Sequence, residues 1–197
     1  MLKKSSKLQT TIDFEKNGKQ TGYLRLHHSV HRSAYGWLPI PIACIKNGSG
    51  VTTLLISGTH GDEYEGQVAL SKLINQLKPE EIQGRVIIVP MANFPAAKAG
   101  LRTSPIDEQN LNRIYPGDRD GSPSLMIAHY IESELFRIAD YGLDLHSGGS
   151  SLHYVPSVVA AVNENKEQMK KMKELMKAFS APYSFFFHSG HADGTTN

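Results

Sequence analysis

Two short stretches of the sequence carry histidine and acidic side chains at spacings that suit a divalent metal ion. The first is GTHGDE at residues 58–63, where His60 and Glu63 stand three residues apart. Near a helix start, side chains at this spacing can point the same way, so one imidazole and one carboxylate could hold a cation. A simpler alternative is a turn capped by His60, with Glu63 favouring the helix dipole.

The second stretch is DLHSGG at residues 144–149. Asp144 lies two residues before His146, so on a strand both side chains face the same side, and the carboxylate could orient a metal ligand. A strand-end turn with a solvated histidine is the alternative. Taken together, the two stretches supply two histidines and one glutamate, a ligand set that catalytic zinc sites use.

A third polar segment lies between these motifs and contains Arg102, Asn112 and Arg113. Guanidinium and amide donors suit a carboxylate or an oxyanion that develops during a reaction. The surrounding stretch, 91–122, is long and shows no clear periodicity, which is more typical of a functional loop than of a simple connection between elements. A polar surface loop would explain any one of these residues.

The elements around the motifs predict how they are positioned. Short apolar and β-branched runs and helical spacing predict strands at 22–28, 38–45, 52–57, 85–90, 141–145, 155–162 and 184–187, and helices at 63–78, 124–139 and 164–179. This alternation predicts an α/β sheet with helices on both faces, in which ligands bind at the carboxyl ends of strands. His60 and His146 each follow such a strand, so we expect them at one edge of the sheet.

Composition restricts the class of protein. The chain has 197 residues, of which 40% are hydrophobic and 20% charged, which excludes a disordered or collagen-like chain. A net charge of +2 does not favour nucleic acid or an anionic membrane as the main partner. We expect a flexible N-terminal segment at 1–19 and one catalytic domain at 20–197.

The sequence also bears on location. The basic N-terminus lacks the apolar run of a signal peptide, and no stretch approaches the roughly 18 apolar residues of a membrane span. The single cysteine, Cys44, cannot form an internal disulfide and lies in an apolar run. We therefore expect Cys44 to be a buried structural thiol and the protein to be cytoplasmic.

Other histidines are weaker candidates. The cluster of His27, His28 and His31 has no accompanying carboxylate or glycine turn, so we predict a strand face and turn there. His188 and His191 are predicted to be solvated or at a pocket edge. His153 is a less favoured candidate for lining the pocket.

In this order, GTHGDE, the NLNR segment at 110–113 and DLHSGG resemble the succinylglutamate desuccinylase/aspartoacylase family, which is related to zinc carboxypeptidases. The opening region and the DLHSGG form are most similar to its N-acetyl-diaminobutyrate deacetylase-like branch. The resemblance covers about residues 20–197. It implies a zinc-carboxypeptidase-like fold with a mixed, largely parallel sheet and helices on both faces.

The resemblance also implies roles for individual residues. Arg102 would polarise the scissile carbonyl, and Asn112 and Arg113 would hold the substrate carboxylate. One Zn²⁺ per chain would be bound by His60, Glu63 and His146. The implied activity is hydrolysis of the amide bond of a small N-acyl amino acid, and the protein could be an oligomer.

One departure from the family concerns the general base, which family members carry as a glutamate on a later strand. After the third predicted helix the only acid is Asp193, and it does not fit, so we expect the catalytic domain to be incomplete at its C-terminus. Asp62 is the other acid to consider. Carboxypeptidase-like peptide cleavage, a succinyl instead of an acetyl substrate, and a catalytically silent zinc- or ligand-binding domain remain as alternatives.

Overall fold

The computed structural model of the protein describes residues 6–30 and 35–188. Its strands are β1 Gln9–Thr10, β2 Gly18–His27, β3 Trp37–Asn47, β4 Thr52–Ser57, β5 Gly84–Val89, β6 Tyr141–Leu145, β7 Ser157–Ala161 and β8 Tyr183–Phe187. Its helices are α1 Tyr64–Gln76, α2 Phe94–Ala99, α3 Pro123–Tyr130, α4 Phe136–Ile138 and α5 Lys166–Phe179. A π-helical turn at Ile131–Leu135 joins α3 to α4, and 3-10 turns lie at Pro79–Glu81 and Leu111–Arg113.

Six strands form the main sheet in the order β1-β2-β3-β5-β4-β6, and β7 and β8 form a separate parallel pair. The predicted mixed α/β class is confirmed. The expectation of a largely parallel main sheet needs correction, because β1–β2, β2–β3 and β3–β5 are antiparallel and only β5-β4-β6 is parallel. Parallel neighbours need a crossover, which α1 supplies between β4 and β5, whereas β2 and β3 follow one another directly.

Helices cover both faces of the sheet, as predicted. Along β4, Leu54 and Ile56 face one apolar cluster and Leu55 faces the other, following the alternation of a strand. The cluster that contains Leu54 packs against α3, and α1 covers the opposite face through Leu70 and its neighbours. The central strands are therefore buried on both sides and hold the site at a fixed edge.

The strands β4 and β6 are joined at both of their ends by aspartates of the β6 segment. Just before β6, Asp140 accepts a hydrogen bond from the Thr52 N–H at 2.7 Å and donates its own N–H to the Thr52 carbonyl at 2.9 Å. At the carboxyl end, Asp144 accepts from the hydroxyl of Thr59 at 2.8 Å. These bonds fix the parallel register of the two strands that precede His60 and His146.

Parts of the predicted organisation outside the site are also visible. Cys44 is fully buried, which confirms the structural thiol, and burial raises the pKa of this thiol to about 11. Within the predicted segment 1–19, Leu8 and Ile12 are buried and β1 pairs with β2, while the domain boundary at residue 20 stays a prediction. No helix among the described residues is long and apolar enough to cross a membrane.

Candidate metal centre

His60 and Glu63 lie on the tight turn that connects β4 to α1. The turn begins at Gly58, whose φ of +66° suits glycine, and a Cβ there would come within 2.9 Å of the Cα of Met91. Both side chains are almost fully buried, with 2% of His60 and 4% of Glu63 exposed. A buried histidine beside a buried carboxylate favours a shared cation over the alternative of a turn capped by His60.

His146 follows β6 and reaches the same place, because β6 pairs in parallel with β4. Its Nδ1 donates a hydrogen bond to Oε2 of Glu63 at 2.9 Å, and its ring centroid lies 5.3 Å from that of His60. One ligand atom from each of the three residues lies within 4.8 Å of the others. Within residues 6–30 and 35–188, this is the one group of three or more such side chains close enough to share an ion.

Asp144 holds the His146 ring from the other side. Its Oδ2 accepts from Nε2 of His146 at 3.1 Å and from the Thr59 hydroxyl at 2.8 Å. A carboxylate in this position fixes the orientation and the tautomer of an imidazole. The contact matches the orienting role that the two-residue spacing suggested.

Arg102 also reaches the centre. Its Nη1 donates to Oε1 of Glu63 at 3.1 Å, and its backbone carbonyl accepts from Nδ1 of His60 at 3.3 Å. About half of the Arg102 side chain, 53%, stays exposed, so the guanidinium is accessible to a ligand. The backbone N–H of Ser147 completes the contacts of Glu63 by donating to Oε2 at 2.9 Å.

These contacts set the charge of the centre. Burial raises the pKa of Glu63, but hydrogen bonds from His146 and Ser147 outweigh it and bring the pKa below the usual value. Burial lowers the pKa of His60, although the charge of Glu63 opposes the shift. Burial also opposes a charged His146, yet its bonds to Asp144 and Glu63 raise its pKa to about 10.

The donor set fits a divalent cation. The lowered pKa values of Glu63 and His60 favour an ionised carboxylate and a neutral imidazole, the forms that bind metal. Two imidazoles with one carboxylate form a ligand set that zinc favours. The hydrogen bonds of His146 to two carboxylates favour its protonated form, and a cation that binds this ring would displace a proton. The structure thus brings together all three predicted ligands, together with Arg102 and Asp144.

Asn112 and Arg113 lie on the short 3-10 turn at Leu111–Arg113. The Asn112 side chain is buried, and its backbone N–H donates to the Asn110 side chain at 3.0 Å. Arg113 is exposed, and its Nη1 donates to the Asn112 carbonyl at 2.6 Å. These contacts are local, and binding of a substrate carboxylate by this pair stays a prediction.

The remaining candidates fall into two groups. His31, His191 and Asp193 lie outside the described residues. The other candidates are described, and the metal group above includes none of them: His27, His153 and His188 are exposed, and His28 and Asp62 are half-buried.

The sequence did not predict the contacts that Thr59 and Ser147 make with the carboxylates of the centre. Thr59 stands inside the GTHGDE motif, so its hydroxyl could have been considered as a partner for a nearby carboxylate. Ser147 contributes a backbone N–H to Glu63, which any residue except proline could supply. No sequence signal identifies such a contact.

Comparison with known proteins agrees with this geometry. Residues 49–197 match the model of the succinylglutamate desuccinylase/aspartoacylase catalytic domain. The chain belongs to this family. The family resemblance drawn from GTHGDE, NLNR and DLHSGG is therefore confirmed.

Individual relatives are similar over most of this chain. It is 50% identical over 179 residues to the N-alpha-acetyl-L-2,4-diaminobutyric acid deacetylase of Halomonas elongata, covering 91% of this chain and 52% of that protein. It superposes with a TM-score of 0.94 and 42% identity on a succinylglutamate desuccinylase structure from Silicibacter sp. TM1040, covering 98% of this chain and 59% of that one. The chain thus spans about half the length of the curated relative.

Two further solved structures are similar to this chain. The product-bound ectoine utilization protein EutE (DoeB) from Ruegeria pomeroyi matches with a TM-score of 0.93 and 44% identity, over 98% of this chain and 59% of that one. A metallo-carboxypeptidase from Burkholderia cenocepacia matches with a TM-score of 0.55 and 20% identity, over 80% of this chain and 47% of that one. The second match shows the fold alone and agrees with the predicted zinc-carboxypeptidase-like architecture.

Proposed function

We propose that this member of the family is a zinc-dependent hydrolase that cleaves the amide bond of an N-acyl amino acid. The observation that carries the proposal is the convergence of His60, Glu63 and His146, whose ligand atoms lie within 4.8 Å of one another at the edge of the sheet. The similarity to an N-alpha-acetyl-L-2,4-diaminobutyric acid deacetylase supports an N-acetylated diamino acid as the substrate.

These three residues would hold one Zn²⁺. A zinc ion supplies Lewis-acid polarisation and lowers the pKa of water toward about 7. Asp144 keeps the His146 ring turned so that Nδ1 faces Glu63, and Thr59 fixes Asp144 in turn. These contacts thereby orient the His146 ring toward Glu63.

Arg102 would stabilise the acyl oxygen. Its guanidinium is anchored to Glu63 through Nη1 and is half exposed, so its other N–H groups can donate to an oxygen that becomes negative. A positioned donor of this kind contributes roughly 3–4 kcal/mol to stabilisation of a transition state. Arg113, with Asn112 beside it, would bind the substrate carboxylate through paired N–H donors.

The proposal also covers the compartment and the partners of the protein. We place the protein in a reducing cytoplasm, in agreement with its single, buried cysteine. The substrate is a small molecule, and the net charge of +2 leaves no reason to expect nucleic acid.

The test combines metal analysis with turnover by the purified protein. We expect about one zinc per chain and hydrolysis of N-acetyl-2,4-diaminobutyrate in preference to N-succinylglutamate and to a C-terminal peptide bond. A chelator should abolish turnover and zinc should restore it. Protein that neither contains nor takes up zinc would contradict the metal assignment, and preferred peptide cleavage would contradict the substrate class.

A further inference from the structure

A buried glutamine on α1 closes the turn that carries His60 and Glu63. Only 5% of Gln67 is exposed. Its Nε2 donates to the carbonyl oxygens of Gly61 at 3.0 Å and Glu63 at 3.1 Å, and lies 3.4 Å from that of His60. The two N–H groups of one carboxamide thus face three backbone carbonyls of the metal-binding turn.

The position of Gln67 is unusual for its side chain. Along α1 the same face continues with Leu70 and Ile74, which pack against the sheet. A carboxamide buried on an apolar face is costly unless its donors are satisfied, and here the carbonyls of residues 60–63 satisfy them.

The side chain of Gln67 also has little freedom to move. Its Cγ lies only 3.2 Å from where a Cβ would stand on Gly58, so the stem of the side chain packs directly over the start of the turn. The carboxamide therefore holds the turn both through hydrogen bonds and through packing.

We propose that Gln67 is a positioning residue for the metal centre, holding the peptide groups of residues 60–63 so that His60 and Glu63 point to one place. The imidazole of His146 is held by two carboxylates, whereas the ring of His60 has one long hydrogen bond, 3.3 Å, to the Arg102 carbonyl. The direction of His60 consequently depends on its backbone turn. This inference rests on the proposed zinc-binding function.

The test measures zinc affinity by competition with a chromogenic chelator. Gln67→Met keeps the length and volume of the side chain but removes its donors, and should weaken zinc binding about 10- to 100-fold, as loss of an outer partner of a ligand does. Gln76→Met, on the exposed end of the same helix, should bind zinc like the wild type. Gln67→Asn withdraws the carboxamide by one CH₂ group and should also weaken binding.

A second control separates positioning from general stability. Leu70→Ala removes a buried side chain of the same helix that has no hydrogen-bonding group. This change should lower the Tm but leave the zinc affinity within about threefold of the wild-type value. If Gln67→Met or Gln67→Asn binds zinc as tightly as the wild type, or if Leu70→Ala weakens binding equally, the inference is overturned. A wild-type protein that does not bind zinc would instead overturn the proposed function.

Discussion

His146 connects the two chain segments that form the candidate metal centre. Its ring bridges Glu63 of the β4–α1 turn and Asp144 of its own strand. Replacing it with alanine should abolish zinc binding and turnover together, while circular dichroism shows the fold retained. His153→Ala, at an exposed position, is the control. Stoichiometric zinc in the His146→Ala protein would reject its assignment as a ligand.

Asp144 should matter less than the residue it orients. Because its carboxylate contacts His146 and Thr59, Asp144→Asn should weaken zinc binding by about 10- to 100-fold and leave a measurable site. Zinc titration of this variant beside His146→Ala gives the comparison. A loss as complete as that of His146→Ala would make Asp144 a direct ligand.

In an active form of the enzyme that includes its general base, Arg102 and Arg113 should differ in kinetics. Arg102 is anchored beside Glu63, and its proposed partner gains charge only in the transition state, so Arg102→Ala should lower kcat by about 10²- to 10³-fold. Arg113→Ala should mainly raise KM, because binding of a substrate carboxylate contributes equally before and during the reaction. Steady-state kinetics measure both effects. Identical profiles would show that the proposed division of roles is wrong.

At this scale, the residues that could be predicted are those whose side chains carry the chemistry. His60, Glu63, His146, Arg102 and Asp144 stand in short motifs, and the structure places them in contact. Among the residues that support them, Ser147 could be found only from the structure, because it acts through its backbone N–H. Gln67 left one usable signal, a polar side chain within the apolar face of a helix.

The Asp107 carboxylate connects the long segment between β5 and α3 to the start of α3. Asp107 accepts hydrogen bonds from the Ser122 hydroxyl at 2.7 Å and from the N–H and hydroxyl of Ser124, both at 2.8 Å. These bonds link the segment that carries Arg102 to the start of α3. Apart from α2 and the 3-10 turn at Leu111–Arg113 this segment is irregular, and the Asp107 bonds help to hold it in place.

Asp107 should therefore contribute to stability in a pH-dependent manner. Burial raises the pKa of its carboxyl, but the hydrogen bonds from Ser124 and Ser122 outweigh this and lower the pKa below its ordinary value of 3.8. A lowered folded-state pKa means that the stabilisation is present above the unfolded value and is lost as the pH falls through the folded value.

The matching experiment compares the free energy of unfolding of Asp107→Asn and wild type in urea from pH 7 to pH 2. We expect the variant to be less stable by about 1–3 kcal/mol at pH 7, with the difference shrinking in acid below pH 3.8. Glu80→Gln, which changes an exposed acid, is the control. A difference that stays constant across this range would contradict the assigned role of the carboxylate.

The positions of the main strands and helices followed from apolar spacing, whereas the direction of pairing did not. The alternating residues of β2 and the apolar run of β3 predict strands but name no neighbour, so the sequence did not reveal that β3 pairs antiparallel with β5. Partner and direction depend on long-range packing rather than on local pattern. The crossover through α1 could be anticipated because a helix stands between two buried strands.

At the level of the whole molecule, the centre joins parts of the chain that are far apart in sequence. Glu63 and His146 are separated by 83 residues, so the unfolded chain does not present the complete ligand set. Zinc should therefore stabilise the protein by about 2.7 kcal/mol when its free concentration is 100 times Kd. Thermal unfolding with and without zinc measures this, and His60→Ala should remove the effect. An unchanged Tm in the wild type at saturating zinc would contradict it.

The paired aspartates that bracket β4 and β6 have a consequence for folding errors. A slip of β6 by one residue would turn every side chain of the strand to the opposite face, and His146 would then point away from Glu63. A misregistered molecule could keep most of its backbone pairing yet lose its chelating geometry. Zinc binding would then favour the molecules in which these two strands are correctly aligned and increase their share of the population.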